Sequence, residues 1–101
     1  ETPLWVGGLL ETGVGRAANL AFAALPGVTM PSDISATDRY YDPDWTEPSF
    51  ELNADSTITV PDALGIGVKV QRDRLKEARR RWLEQNPYSM DMLKYVIAED
   101  D

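Results

Sequence analysis

The pattern with most to say about chemistry is Gly13-Val14-Gly15-Arg16-Ala17-Ala18, a G-x-G-x-x-A run with Asp33 twenty residues beyond Gly13. In a dinucleotide site the first glycine stands directly at a strand's end. The N–H groups that open the next helix then meet a pyrophosphate, and the later acid takes a ribose hydroxyl. Here Gly8 to Thr12 intervene between the apolar run and Gly13, and Pro31 interrupts the second run before Asp33. That order argues against a dinucleotide. Two readings of the glycine-rich helix start remain: an anion site made of unpaired N–H groups and the helix dipole, or a hinge that lets strand and helix pack closely.

The other candidate groups are carboxylates and lysines. Asp42, Asp44 and Glu47 offer clustered oxygens of the kind a hard cation takes, but they lack the ligand spacing and central glycine of an EF-hand loop and are expected to face solvent. Lys69 and Lys76 would serve as bases only if buried, and both stand on charge-rich, amphipathic ground. The chain has no histidine and no cysteine. A Ser-His-Asp triad, a thiolate nucleophile, an imidazole base and any Cys/His zinc site are therefore excluded within it. Without cysteine there is no disulfide framework, which suits a reducing compartment and gives a cytoplasmic reading.

With 10 basic against 17 acidic side chains the net charge is −7 and the pI near 4.4, a poor balance for neutralising phosphates, so nucleic acid is not an expected partner. The charge is uneven: Arg16 and Arg39 are the only basic residues before Lys69, whereas Lys69–Arg81 holds seven. On a helix such a run is expected to be a solvated face. No apolar run approaches the ~20 residues of a membrane span and no leader pattern opens the sequence, so neither a membrane nor a targeting segment is expected.

These groups need elements to position them, and 101 residues suffice for one domain. Pro3-Leu4-Trp5-Val6 reads as a short buried strand stopped by Gly7-Gly8. The alanine-rich run 16–25 reads as a helix buried on most sides and ended by Pro26-Gly27. Val28-Thr29-Met30 is a second strand halted at Pro31, giving the order strand, helix, strand. Residues 38–47 read as a loop with Tyr40, Tyr41 and Trp45 as aromatic anchors. Three extended runs follow, Ser49–Leu52, Thr57–Val60 and Gly67–Val70, as a small antiparallel excursion. The spacing of Leu75, Ala78, Trp82 and Leu83 predicts a helix over 72–85 that ends before Asn86-Pro87. The tail 86–101 reads as a short acidic helical piece capped at Ser89.

The run Leu4-Trp5-Val6-Gly7-Gly8-Leu9-Leu10-Glu11-Thr12-Gly13-Val14-Gly15-Arg16-Ala17-Ala18-Asn19 resembles the seventh-strand region of one branch of the enolase superfamily. That branch comprises the o-succinylbenzoate synthases and N-acylamino acid racemases, which are muconate cycloisomerase-like. The likeness continues through Leu25-Pro26-Gly27 and through Pro31 to Tyr40, similar to the branch's eighth-strand signature, and then through Ile58-x-Val60-Pro61 and Gly65-Ile66-Gly67. It covers about residues 3–70. Three positions depart from the branch: Leu9 stands for its usual methionine, Ser32 for the glycine of Gly-Asp-x-Ser, and Ala63-Leu64 for Gly-Pro.

The resemblance implies an α/β fold that is the C-terminal fragment of a (β/α)₈ barrel. Its last βαβ portion is followed by short antiparallel strands and a C-terminal helix, with residues 1–85 in the barrel domain and 86–101 the tail. It implies a lyase or isomerase in which Mg²⁺, held by acids outside this chain, stabilises an enolate. The enolate leads to o-succinylbenzoate for menaquinone synthesis or to racemisation of an N-acylamino acid. No residue here is then a catalytic base or metal ligand, and the isolated chain is expected to be inactive. The substrate-binding positions implied are Gly7, Gly8 and Leu9 after one strand and Asp33, Ile34 and Ser35 after the next. The glycines would leave room for the substrate's tail, so that Gly8→Asp should raise KM or abolish turnover. The expected partners are the remainder of the barrel and its capping domain, a small carboxylate substrate, and a second copy through uncovered strand edges. The alternative is a free-standing, non-catalytic interaction domain derived from the same fold.

Overall fold

The computed structural model describes residues 2–86. The expected helical tail lies outside the described residues from Pro87 onward. The chain forms two compact units, Glu1–Gln71 and Arg72–Asp101.

In the first unit two extended segments run side by side in the same direction, joined by a parallel bridge between Leu4 and Val28. Met30 donates its N–H to Leu4 O at 3.1 Å, and Asp33 donates to Val6 O at 2.9 Å. A regular ladder would bring position 32, not 33, opposite Val6. The slip falls at Pro31, which has no N–H to donate, and Ser32 Oγ accepts the Val6 N–H at 3.0 Å in place of a main-chain oxygen. Pairing therefore continues past Pro31 to Asp33, beyond the point where the sequence reading halts it. Neither Leu4 nor Trp5 is buried, against expectation, at 48% and 55% exposure. The hydroxyl of Ser32 thus has a definite structural use here.

Between these segments lies helix α1, Gly13–Ala23. It begins three residues before the expected start because its first turn needs close approach more than helix propensity. A methyl group placed on Gly13 would overlap the Thr46 hydroxyl and stand 2.8 Å from Thr46 Cβ and 3.1 Å from an Asp44 carboxylate oxygen. The buried stripe is Gly13, Arg16, Ala17 and Leu20, one face at helical spacing. Burial on most sides does not hold, since Phe22 is 55% exposed. Ala17 and Leu20 meet Phe50 in a small core, flanked by Ile34, Ile58 and Val68.

After a single 3₁₀ turn at Thr37–Arg39, β1 (Thr46–Glu47) pairs antiparallel with β2 (Lys69–Val70), with Thr46 opposite Val70 and Glu47 opposite Lys69. Of the three extended runs expected, only Gly67–Val70 supplies a strand, and its partner lies in the stretch read as loop. Residues 49–60 close instead in a local turn, where Asn53 donates its N–H to Thr57 O at 2.8 Å and Ser56 to Asn53 O at 2.9 Å. Asn53 Nδ2 donates to Thr57 Oγ1 and Thr59 Oγ1, both at 3.1 Å, and Asp55 Oδ1 accepts from the Thr57 N–H and hydroxyl. Asp55 satisfies a backbone N–H locally in this way, in competition with a ladder.

The second unit is described by helix α2, Arg72–Gln85, at the expected bounds. None of its residues is buried, and Leu75 and Trp82 are 41% and 45% exposed. Arg80 lies between Glu77, at 2.7 Å, and Glu84, forming i,i+3 and i,i+4 pairs on the solvent face. These partners raise the Arg80 pKa, and Arg80 in turn lowers that of Glu77. Among the described residues no helix is long and apolar enough to cross a membrane.

Candidate functional site

The two parallel segments end side by side, and their ends bring together two groups of residues far apart in sequence. Gly8 lies against the other segment's backbone. A methyl group on it would overlap the Asp33 carbonyl oxygen and stand 3.7 Å from Ile34 Cα. The space that a Gly8 side chain would take is thus filled by the other segment's backbone, so this glycine allows the two segments to approach closely. Gly7 is the open position, where an added Cβ meets only the Trp5 ring at 3.8 Å. Leu9 is 81% exposed. Ile34 packs on the core. Together with Ser35, Ala36, Asp38, Arg39 and Leu52 it lines an open hollow of about 460 Å³ at the end of the second segment.

The loop 7–10 is held by its main chain. Both oxygens of Glu11 accept the Leu9 N–H, at 2.8 and 2.9 Å. The Tyr41 hydroxyl donates to Leu10 O at 2.6 Å. The Leu9 N–H holds the Glu11 pKa below the usual carboxylate value, helped by Glu11's own N–H, the Asn19 side chain and the Arg16 charge, and opposed by partial desolvation. Sequence reasoning treats Tyr41 only as an aromatic anchor and passes over Glu11. No composition or spacing signal marks either, because both act on main-chain atoms whose position depends on the path of the loop.

The remaining candidates resolve as packing. Gly13 opens α1 against Thr46 and Asp44, so the hinge reading describes this glycine. Asp44 is 2% exposed, a correction to the solvent-facing reading, while Asp42 and Glu47 are exposed. Arg16 is 1% exposed, and its guanidinium nitrogens have no hydrogen-bond partner among the described residues. Lys69 and Lys76 are exposed and lack the burial a neutral amine base requires. Among the described residues no group of three or more acids is gathered to hold a metal ion. The donor set of the described residues does not fit Mg²⁺.

No family model matches the chain. Curated relatives do. The N-succinylamino acid racemase of Thermus thermophilus is 49% identical over 69 residues, covering 68% of this chain and 18% of that protein. The o-succinylbenzoate synthase of Enterococcus faecalis is 49% identical over 72 residues, covering 71% and 19%. A crystal structure of an enolase-superfamily member from Listeria innocua superposes with a TM-score of 0.68 at 46% identity, covering 72% of this chain and 19% of that one. The chain spans about a fifth of the length of the relatives it matches.

Proposed function

We propose that this chain, related to the o-succinylbenzoate synthases and N-succinylamino acid racemases of the enolase superfamily, is the closing part of a (β/α)₈ barrel enzyme and furnishes one side of its pocket. In the complete enzyme the reaction is dehydration through an enolate to o-succinylbenzoate, or racemisation of an N-acylamino acid. The proton-moving groups and the Mg²⁺ ligands lie on polypeptide outside these residues, and the isolated chain is inactive. The substrate, a small carboxylate, passes Gly7, Gly8 and Leu9 on one strand end and Asp33, Ile34 and Ser35 on the next, where barrel enzymes place their sites. The remainder of the barrel and its capping domain are the partners. Without them the uncovered strand edges favour self-association. The setting is the cytoplasm, in keeping with a chain free of cysteine.

The observation that supports this reading is the pair of parallel extended segments, with α1 between them in sequence, whose C-terminal ends approach at Gly8 and Asp33, in a chain 49% identical to both kinds of enzyme over 69 and 72 residues. The test is a chimera in which the matching segment of the Enterococcus faecalis enzyme is exchanged for this chain. Formation of o-succinylbenzoate, or racemisation of an N-succinylamino acid, is expected. A folded chimera inert in both assays would refute the assignment.

A further inference from the structure

The rim loop Gly7–Leu10 has a mechanical problem. Its two large side chains, Leu9 and Leu10, are 81% and 63% exposed, so burial does not hold it. Gly8 must nevertheless stay in van der Waals contact with the Asp33 backbone. Two side chains from outside the loop act on consecutive residues of it: the Glu11 carboxylate on Leu9 N–H and the Tyr41 hydroxyl on Leu10 O. Each is itself held. The Glu11 stem passes over the bare Gly15, its Cγ and Cβ 3.0 and 3.1 Å from where a Cβ there would stand. Tyr41 donates its N–H to Thr37 O at 3.1 Å and sets its ring 6.3 Å from that of Trp45.

We propose that Glu11 and Tyr41 are positioning residues that fix the Gly7–Leu10 loop by its main chain and thereby set the enzyme's affinity for its carboxylate substrate without touching it. The proposal rests on the reading of that loop as part of the substrate rim. A loop that supports bound substrate equally before and during the reaction changes KM and leaves kcat. Loss of folded protein does the opposite, lowering apparent kcat at constant KM.

The experiment measures kcat and KM separately in the chimeric enzyme for Glu11→Ala, Tyr41→Phe, their combination, Glu11→Gln and Gly7→Val. Glu11→Ala and Tyr41→Phe should each raise KM about tenfold with kcat within about twofold, as expected for misplaced binding groups. The double variant should fall short of the product of the two, since both hold one loop. Glu11→Gln, which keeps the length and one acceptor oxygen, should recover most of the affinity. Gly7→Val tests the underlying reading, because the structure leaves that position open: a raised KM places the loop in the site, and unchanged kinetics remove it. If Gly7→Val raises KM while Glu11→Ala and Tyr41→Phe leave it unchanged, the rim stands and the positioning role is overturned.

Discussion

Helices α1 and α2 stand on different physical grounds. α1 has no side-chain cap, no acid in its first turn and no base in its last, and it opens on glycine, yet four of its eleven residues are buried. α2 has Asp73 in its first turn, a surface ion-pair cluster centred on Arg80 and no buried residue. One helix is made by what it packs against, the other by interactions along its own surface. The lesson concerns where a substitution acts: in α1 it is felt through Phe50, Thr46 and the rim, in α2 through the ion pairs along its surface.

The comparison is broken most severely at Leu20, the largest apolar contact of α1 with Phe50. Leu20→Ala in the chimeric enzyme should cost about 3 kcal/mol in urea denaturation, as a cavity in a close-packed cluster does. Gly13→Val drives a side chain into Thr46 and Asp44 and should cost about 2 kcal/mol by overpacking. If either is neutral, α1 does not depend on its buried face.

A smaller effect is expected at Glu11. Its folded pKa lies below the ordinary 4.5, so the stabilisation it contributes is complete above that value and disappears as pH falls through the folded pKa. The stability difference between the unsubstituted protein and Glu11→Gln should therefore be present at pH 7 and shrink below about pH 4.5. A difference independent of pH would remove the ionised carboxylate as its source. The least effect belongs to α2. A peptide of residues 72–86 should show partial helicity by circular dichroism that declines with ~1 M salt or with Arg80→Ala, whereas a peptide of residues 12–26 should show none. Equal helicity in the two would erase the contrast.

The same contrast governs how much could be read in advance. α2 was legible to its bounds because its periodicity and its ending at Asn86-Pro87 are local properties. The start of α1 was not, since glycine at 13 and 15 argues against helix unless the approach of Thr46 is known. β1 is two residues long, too short for any alternation to show. Burial of Arg16 and Asp44 contradicts the ordinary preference of charged residues and follows only from the crossing of α1 and β1. At the candidate site, residue types alone marked Gly7-Gly8 only as the stop of a strand, and their place in a substrate rim came from the resemblance. Leu9, Asp33, Ile34 and Ser35 came from the resemblance, and Glu11 and Tyr41 emerged only with the course of the loop.

The hydroxyl of Tyr41 reaches across thirty-one positions of sequence to Leu10. The segments after the two strands are stitched at that point, so lengthening either would pull the other out of register. An insertion or deletion on either side has to give up that bond, whereas exchanges of side chains along the seam leave it in place.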